Sequence, residues 1–165
     1  MSLDLLFSLS AVAVMLLDAW TKALVQARFA LGESLPLLPG LALTYARNPG
    51  AAFSMLADAS SRWRLPFFAA VTVGALVAVV WMHRHTPRQD RLSRLALGLV
   101  LGGALGNAID RFRLGEVVDF IEVGVRSVYT WPIFNVADSA VCVGVGLLMW
   151  RALKPLDPPT PKTGA

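Results

Sequence analysis

Charge is scarce in this chain. Of its 165 residues only 16% are Asp, Glu, Lys or Arg, whereas 56% are hydrophobic and the mean hydropathy is +0.60. Soluble domains sit near one quarter charged, so a water-soluble globule is excluded and an integral membrane protein of one domain is expected. Cysteine is nearly missing: the one thiol, Cys142, cannot close an internal disulfide and reads as a small core residue of an apolar helix. The only histidines, His83 and His85, share one polar stretch, so a Ser-His-Asp or Cys-His arrangement cannot be built elsewhere. No H-E-x-x-H and no Cys/His ligand set occurs, so neither a metal nor a cofactor is expected. The net charge of +4 comes from 15 basic residues scattered around apolar runs. There is no basic stripe with interleaved aromatics, and nucleic-acid binding is rejected.

What the chain has in quantity is long apolar runs. Four are long enough to span a bilayer, at about 5–27, 65–82, 92–109 and 136–153. Pro66 falls in the first turn of the second, where proline costs little. The start of the chain lacks the basic region of a cleaved signal peptide and is read as a retained first span. The loop over residues 83–91 is short and basic, Arg94 follows it, and Arg151, Lys154 and Lys162 follow the last span. The positive-inside rule therefore puts this loop and both termini in the cytoplasm. The proline-rich tail over 154–165 is expected to be disordered.

The loops on the other side carry structure signals. Large apolar residues alternate at Leu41, Leu43 and Tyr45, as in a half-buried strand. Asn48-Pro49-Gly50 is a turn signal, after which 51–56 is read as a returning strand. Residues 116–122 are a third β-prone run, giving a small outer β element on the membrane surface. Gly98, Gly102 and Gly106 recur every fourth residue in the third span, the small-residue pattern of close helix packing.

With this orientation the polar residues of the spans converge on one depth, near the outer surface. Asp18 and Lys22 lie in the outer half of span one, Asn107, Asp110 and Arg111 end span three, Asn135 and Asp138 begin span four, and Asn48 and Asp119 are in outer loops. Charges in apolar surroundings cost several kcal/mol (roughly) unless paired, protonated or facing a wet cavity. Each has a purely structural alternative. Asp18 and Lys22, four apart, can neutralise each other. Asp110 and Arg111 can form a surface ion pair. Asn135 can be only a helix cap, Asn48 only a turn residue, and the helix dipole alone can account for Asp138. None of these explains Asp119, flanked by Val117-Val118 and Phe120-Ile121.

The inventory leaves two chemistries. One is a Ser–Lys dyad, using Lys22 with Ser54 or Ser139. The other is a pair of carboxylates. Two close aspartates cannot both ionise, so they share a proton; one takes a proton from water while the other donates to a carbonyl oxygen. Asp119 and Asp138 are the candidates, with Asp110 a third.

Five motifs stand in order: Asp18-Ala19-Trp20-Thr21-Lys22, Asn48-Pro49-Gly50-Ala51-Ala52-Phe53-Ser54, Gly106-Asn107-Ala108-Ile109-Asp110-Arg111, Val117-Val118-Asp119-Phe120, and Phe134-Asn135-Val136-Ala137-Asp138-Ser139. In these the chain resembles the bacterial lipoprotein signal peptidase (signal peptidase II) family of membrane aspartyl proteases, over nearly its whole length to about residue 153. The resemblance implies a mainly α membrane protein of four transmembrane helices in the bacterial inner membrane, with a small extracytoplasmic β element and a short amphipathic outer helix around 58–65. It implies Asp119 and Asp138 as the catalytic dyad near the outer face, supported, with the substrate, by Asn48, Asn107, Asp110, Arg111 and Asn135. Asp18 and Lys22 are matched positions with an anchoring or substrate-side role. The family usually has Gln after the first Asp, where this chain has Ala19. The implied substrate is a diacylglyceryl prolipoprotein cut just before its lipidated cysteine. The enzyme is expected to be a monomer amid membrane lipid, inhibited by globomycin-type cyclic lipopeptides. The rival class is a small ion or proton carrier, which would need polar residues through the full membrane depth; the inner halves of the spans lack them.

Overall fold

Apolar residues run all the way round the long segments of this chain, and such segments have one stable backbone solution in an apolar medium, the helix. In a computed structural model, which describes residues 5–50, 61–125 and 129–154, they form α1 (Leu5–Arg28), α2 (Ser61–His85), α3 (Arg91–Leu114) and α4 (Val136–Ala152). Strands β1 (Ser34–Leu38) and β2 (Leu41–Asn48) separate α1 from α2, and β3 (Val117–Val125) and β4 (Tyr129–Thr130) separate α3 from α4. Three of the helices, α1, α2 and α3, are long and apolar enough to cross a membrane. The fourth has 17 residues, the lower limit for a span.

α3 is the central helix. It packs along α1 on one side and α4 on the other, and its small residues make this possible. A Cβ on Gly102 would lie 2.5 Å from the Ala11 carbonyl oxygen of α1, and one on Gly103 would run into the Ala137 carbonyl oxygen of α4. α2 packs chiefly on α3 and leaves most of its surface outward, with Phe67, Val73, Val77 and Trp81 all exposed. Phe7, Val79 and Leu97 form an apolar cluster at one end of the bundle. Asp90 caps α3 at that end, accepting from the Ser93 amide at 3.1 Å, and pairs with Arg151 of α4 at 3.1 Å. At the other end, Val25 of α1 packs with Tyr45, Val118 and Phe120 of the sheet.

The sheet is antiparallel in the order β1-β2-β3-β4. α3 stops at Gly115, whose left-handed conformation (φ 75°) suits glycine and whose amide bonds the Arg111 carbonyl oxygen. The turn is short, so β3 starts directly beside the end of α3. Between β2 and β3 the register slips: Leu43 faces Ile121, but Ala46, three residues on, faces Asp119. This bulge re-aims the side chains. Tyr45 joins Val118 and Phe120 in the core, while Asn48 reaches Asp119 on the opposite side.

Several sequence expectations are corrected. α2 starts at Ser61, so residues 61–65 are its continuous first turns rather than part of a separate surface helix, and Pro66 sits in its second turn at the loss of one i→i−4 bond. The strand partners of β2 are β1, which the leucine- and proline-rich sequence concealed, and β3. The strand expected over 51–56, residues 58–60 and the tail beyond Lys154 lie outside the described residues. α3 runs past Ile109 to Leu114. Cys142 is exposed rather than a core residue, because α4 turns one of its apolar sides away from the bundle.

The close α3–α4 approach gives a test. Gly103→Val should lower the thermal midpoint in detergent by several degrees, since overpacking costs about 1–3 kcal/mol. Gly74→Ala, on α2 with nothing within 4 Å of a new Cβ, should leave it unchanged or raise it. Equal midpoints for Gly103→Val and the parent would contradict this packing.

Candidate active site

The first turn of α4 leaves amide groups without helical partners. Asn135 caps it: its Oδ1 accepts from the Asp138 amide at 2.8 Å, and Asp138 Oδ2 accepts from the Asn135 amide at 3.1 Å, a reciprocal box. A third amide, that of Ala137, donates to Asp18 Oδ1 of α1 at 2.9 Å. Thus Asp18 closes the start of a helix far away in sequence. It fits only because Gly106 has no side chain, as a Cβ there would lie 2.7 Å from Asp18 Oδ2.

Lys22 follows one turn along α1 and is 2% exposed. Its Nζ lies 2.7 Å from Asp18 Oδ2 and 2.8 Å from Asp110 Oδ2, and donates to Asn107 Oδ1 at 3.1 Å. The Asp18–Lys22 pairing read from the spacing is therefore present, but extended across to α3. The Asp110–Arg111 ion pair is not what forms. Adjacent helical residues do not face each other; Asp110 turns to Lys22 and also accepts from the Val118 amide at 3.1 Å.

Asn107 converts this charge cluster into an orienting device. Its Oδ1 accepts from Lys22 and from Asn135 Nδ2 (3.1 Å), which leaves its Nδ2 to donate to Asp138 Oδ1 at 2.7 Å. Asn135, fully buried, also donates to Asp119 Oδ1 at 2.7 Å and to the Val118 carbonyl oxygen at 3.2 Å. Asp119 Oδ2 accepts from Asn48 Nδ2 at 3.0 Å. Asn48 keeps its turn role as well, its Oδ1 accepting from the Gly50 amide at 3.0 Å. Two carboxyl groups, from β3 and from the first turn of α4, thus stand on either side of Asn135, each receiving two donors.

Asp119 is 3% exposed, and burial pushes its carboxyl up to about 6. The hydrogen bond from Asn48 opposes the shift, the charge of Asp138 adds to it, and Asn135 and Lys22 oppose it. Arg111 is half-buried on α3, its guanidinium 4.9 Å from the Phe68 ring centre on α2. Of the alternative dyad, Lys22 is engaged by three acceptors and Ser139 Oγ donates to the Asn135 carbonyl oxygen at 2.9 Å. Ser54 lies outside the described residues. His83 stacks on Phe7 at 3.8 Å, at the opposite end of the bundle. Two participants were not foreseen: the backbone of Val118, clamped by Asp110 and Asn135, and Phe68 beneath Arg111. No residue type or spacing announces either.

Apolar helices with one polar cluster at one end, containing two linked aspartates, define a membrane enzyme of the acid–base type. The chain belongs to the signal peptidase II family: residues 10–154 match the family model described as "Signal peptidase (SPase) II". It is 48% identical over 147 residues to the lipoprotein signal peptidase of Syntrophotalea carbinolica, covering 87% of this chain and 89% of that one. It is 49% identical over 144 residues to that of Geobacter sulfurreducens, covering 87% and 88%. Two solved structures, each of a bacterial membrane enzyme, superpose with TM-scores of 0.77 and 0.78 at 34% and 36% identity, covering 90% of this chain and 93% and 92% of theirs.

The raised Asp119 carboxyl has a stability consequence. Its proton is held more tightly folded than unfolded, so it favours folding at low pH, and that contribution is lost as pH rises from about 4 through about 6. The full effect is on the order of 3 kcal/mol. The thermal midpoint of Asp119→Asn minus that of the parent should therefore become more positive between pH 4.5 and 7.5. A difference independent of pH would contradict the shift.

Proposed function

We propose that the chain is the aspartyl endopeptidase that removes signal peptides from diacylglyceryl-modified prolipoproteins, cutting just before the lipidated cysteine, with Asp119 and Asp138 as its catalytic pair. The observation that carries this is the bracketing of two carboxyls by Asn135 and Asn107 at the polar end of an otherwise apolar bundle. The pair holds one proton between them. The ionised carboxyl takes a proton from water as the oxygen attacks the scissile carbonyl carbon, and the protonated one gives its proton to the carbonyl oxygen. The tetrahedral diol collapses when a proton passes to the peptide nitrogen, the C–N bond breaks, and the new carboxyl end leaves with the signal peptide. Asn107, Asn135 and Asn48 hold the acids; Asp18, Lys22 and Asp110 hold the asparagines and the start of α4.

The same reading makes all four helices transmembrane in the bacterial inner membrane, as one peptidase domain over residues 1–153. Exposed Arg84, Arg88 and Arg91 favour a cytoplasmic α2–α3 loop, which sets both termini inside and the acids at the outer face, where a lipid-modified cysteine lies. The enzyme works as a monomer surrounded by lipid, and a globomycin-type lipopeptide occupies the same site. A carrier would need polar groups through the middle of the bundle, whereas between the acid cluster and the Asp90–Arg151 pair at the far end the helices pack through Phe7, Val79, Leu97 and the glycines of α3.

Purified Asp119→Asn and Asp138→Asn should each lose at least about 10³-fold in the rate of cleaving a diacylglyceryl prolipoprotein in a gel-shift assay, while remaining folded in detergent. Full activity in either variant would sink the pair. Cleavage should survive chelators.

A further inference from the structure

The turn that follows β2 rests on an aromatic ring of α2. Gly50 has a φ of 115°, a conformation that suits glycine. It also has no room for a side chain, since a Cβ there would run into the Phe68 ring. That ring is half-buried, and the Arg111 guanidinium of α3 lies 4.9 Å from its centre, so a second helix holds it in place. The Gly50 amide donates to Asn48 Oδ1 at 3.0 Å, and Asn48 Nδ2 donates to Asp119 Oδ2 at 3.0 Å. A side-chain amide that accepts at its oxygen turns its nitrogen the other way. The Gly50 amide therefore sets the direction in which Asn48 donates, and the Phe68 ring limits how far the Gly50 backbone can move. One ring contact and two hydrogen bonds thus join α2 to the buried acid of β3.

We propose that Phe68 is a positioning residue for Asp119: by backing Gly50 it holds Asn48 in the orientation that donates to the acid. The inference deepens the proposed function, in which Asp119 is one of the catalytic pair. Phe68 acts through Asn48 and not on the carboxyl itself. A hydrogen bond to a carboxylate favours its charged form, and the bond from Asn48 opposes the upward push that burial gives Asp119. The charged groups that act on Asp119 are Asp138 of α4, Lys22 of α1 and Arg111 of α3. A change at Phe68 removes none of them. Loosening the turn weakens the Asn48 bond, so the Asp119 carboxyl moves further up and keeps its proton to higher pH.

The test is the pH at which Asp119 titrates in the purified full chain in detergent. Infrared spectroscopy reads it as the carboxylic-acid carbonyl band that Asp119→Asn removes. Phe68→Ala should move that pH up by roughly 1. Phe68→Leu, which keeps a branched apolar group against Gly50, should move it by about half as much or less. Asn48→Ala should move it at least as far as Phe68→Ala does, and adding Phe68→Ala to Asn48→Ala should move it no further. With a diacylglyceryl prolipoprotein as substrate, the kcat of Phe68→Ala should fall roughly 10-fold while KM stays within about twofold of the parent. An unmoved titration in Phe68→Ala would overturn the link. So would an equal movement when Asn48 is already replaced, since the ring would then act through Arg111 or by shielding Asp119 from water. A moved titration with unchanged kcat would overturn the positioning role and leave the peptidase intact. A parent that cleaves no prolipoprotein would overturn the peptidase reading, while the titration would still decide the link from Phe68 to Asp119.

Discussion

One buried ammonium holds the polar end of this protein together. Lys22 touches Asp18, Asp110 and Asn107, so a single charge from α1 is shared by two carboxylates and an amide on two helices. An unpaired charge in such a place would cost several kcal/mol (roughly), which makes the arrangement close to all-or-none. Its consequences spread outward. Asp18, fixed by Lys22, holds the first turn of α4; Asp110 holds the start of β3 through the Val118 amide. Asn107 has its oxygen turned toward a group that can only donate, so its nitrogen must face Asp138. Asp119 and Asp138 are carried by the two elements that Lys22 anchors indirectly.

Such a cluster needs backbones close enough for short side chains to bridge helices. The glycines of α3 supply this twice over, toward α1 and toward α4, and Gly106 leaves the space that Asp18 Oδ2 fills. The bulge in β2 does the corresponding work in the sheet: one extra residue between Leu43 and Ala46 buries Tyr45 and still brings Asn48 to Asp119. Burial pushes the Asp119 carboxyl up to about 6, and it sits on the face of β3 opposite Val118 and Phe120, between Asn48 and Asn135. Geometry and electrostatics thus come from the same packing.

The helices were legible in the sequence because apolar length is a strong signal, and their limits agree within a few residues except where α2 begins early and α3 ends late. The residues of the cluster were legible because polar groups in apolar runs are conspicuous, and Asp18–Lys22 because it is an i,i+4 pair. Which groups touch was not. Lys22 to Asn107 spans 85 positions and Asn48 to Asp119 spans 71, and no local pattern encodes such contacts. Adjacency misled for Asp110 and Arg111, whose side chains leave the helix in different directions. β1 went unseen because Leu35, Pro36, Leu37 and Leu38 lack the alternation of a half-buried strand, and are all exposed.

Under the proposed function, Asp119 and Asp138 act as one unit rather than as two separate contributors. Single-turnover cleavage of a diacylglyceryl prolipoprotein by the double variant Asp119→Asn/Asp138→Asn, set beside the two single variants, tests this directly. If the two acids share one proton and one task, the double variant retains the same residual rate as either single variant, within about threefold. A double variant slower by the product of the two separate losses would contradict it.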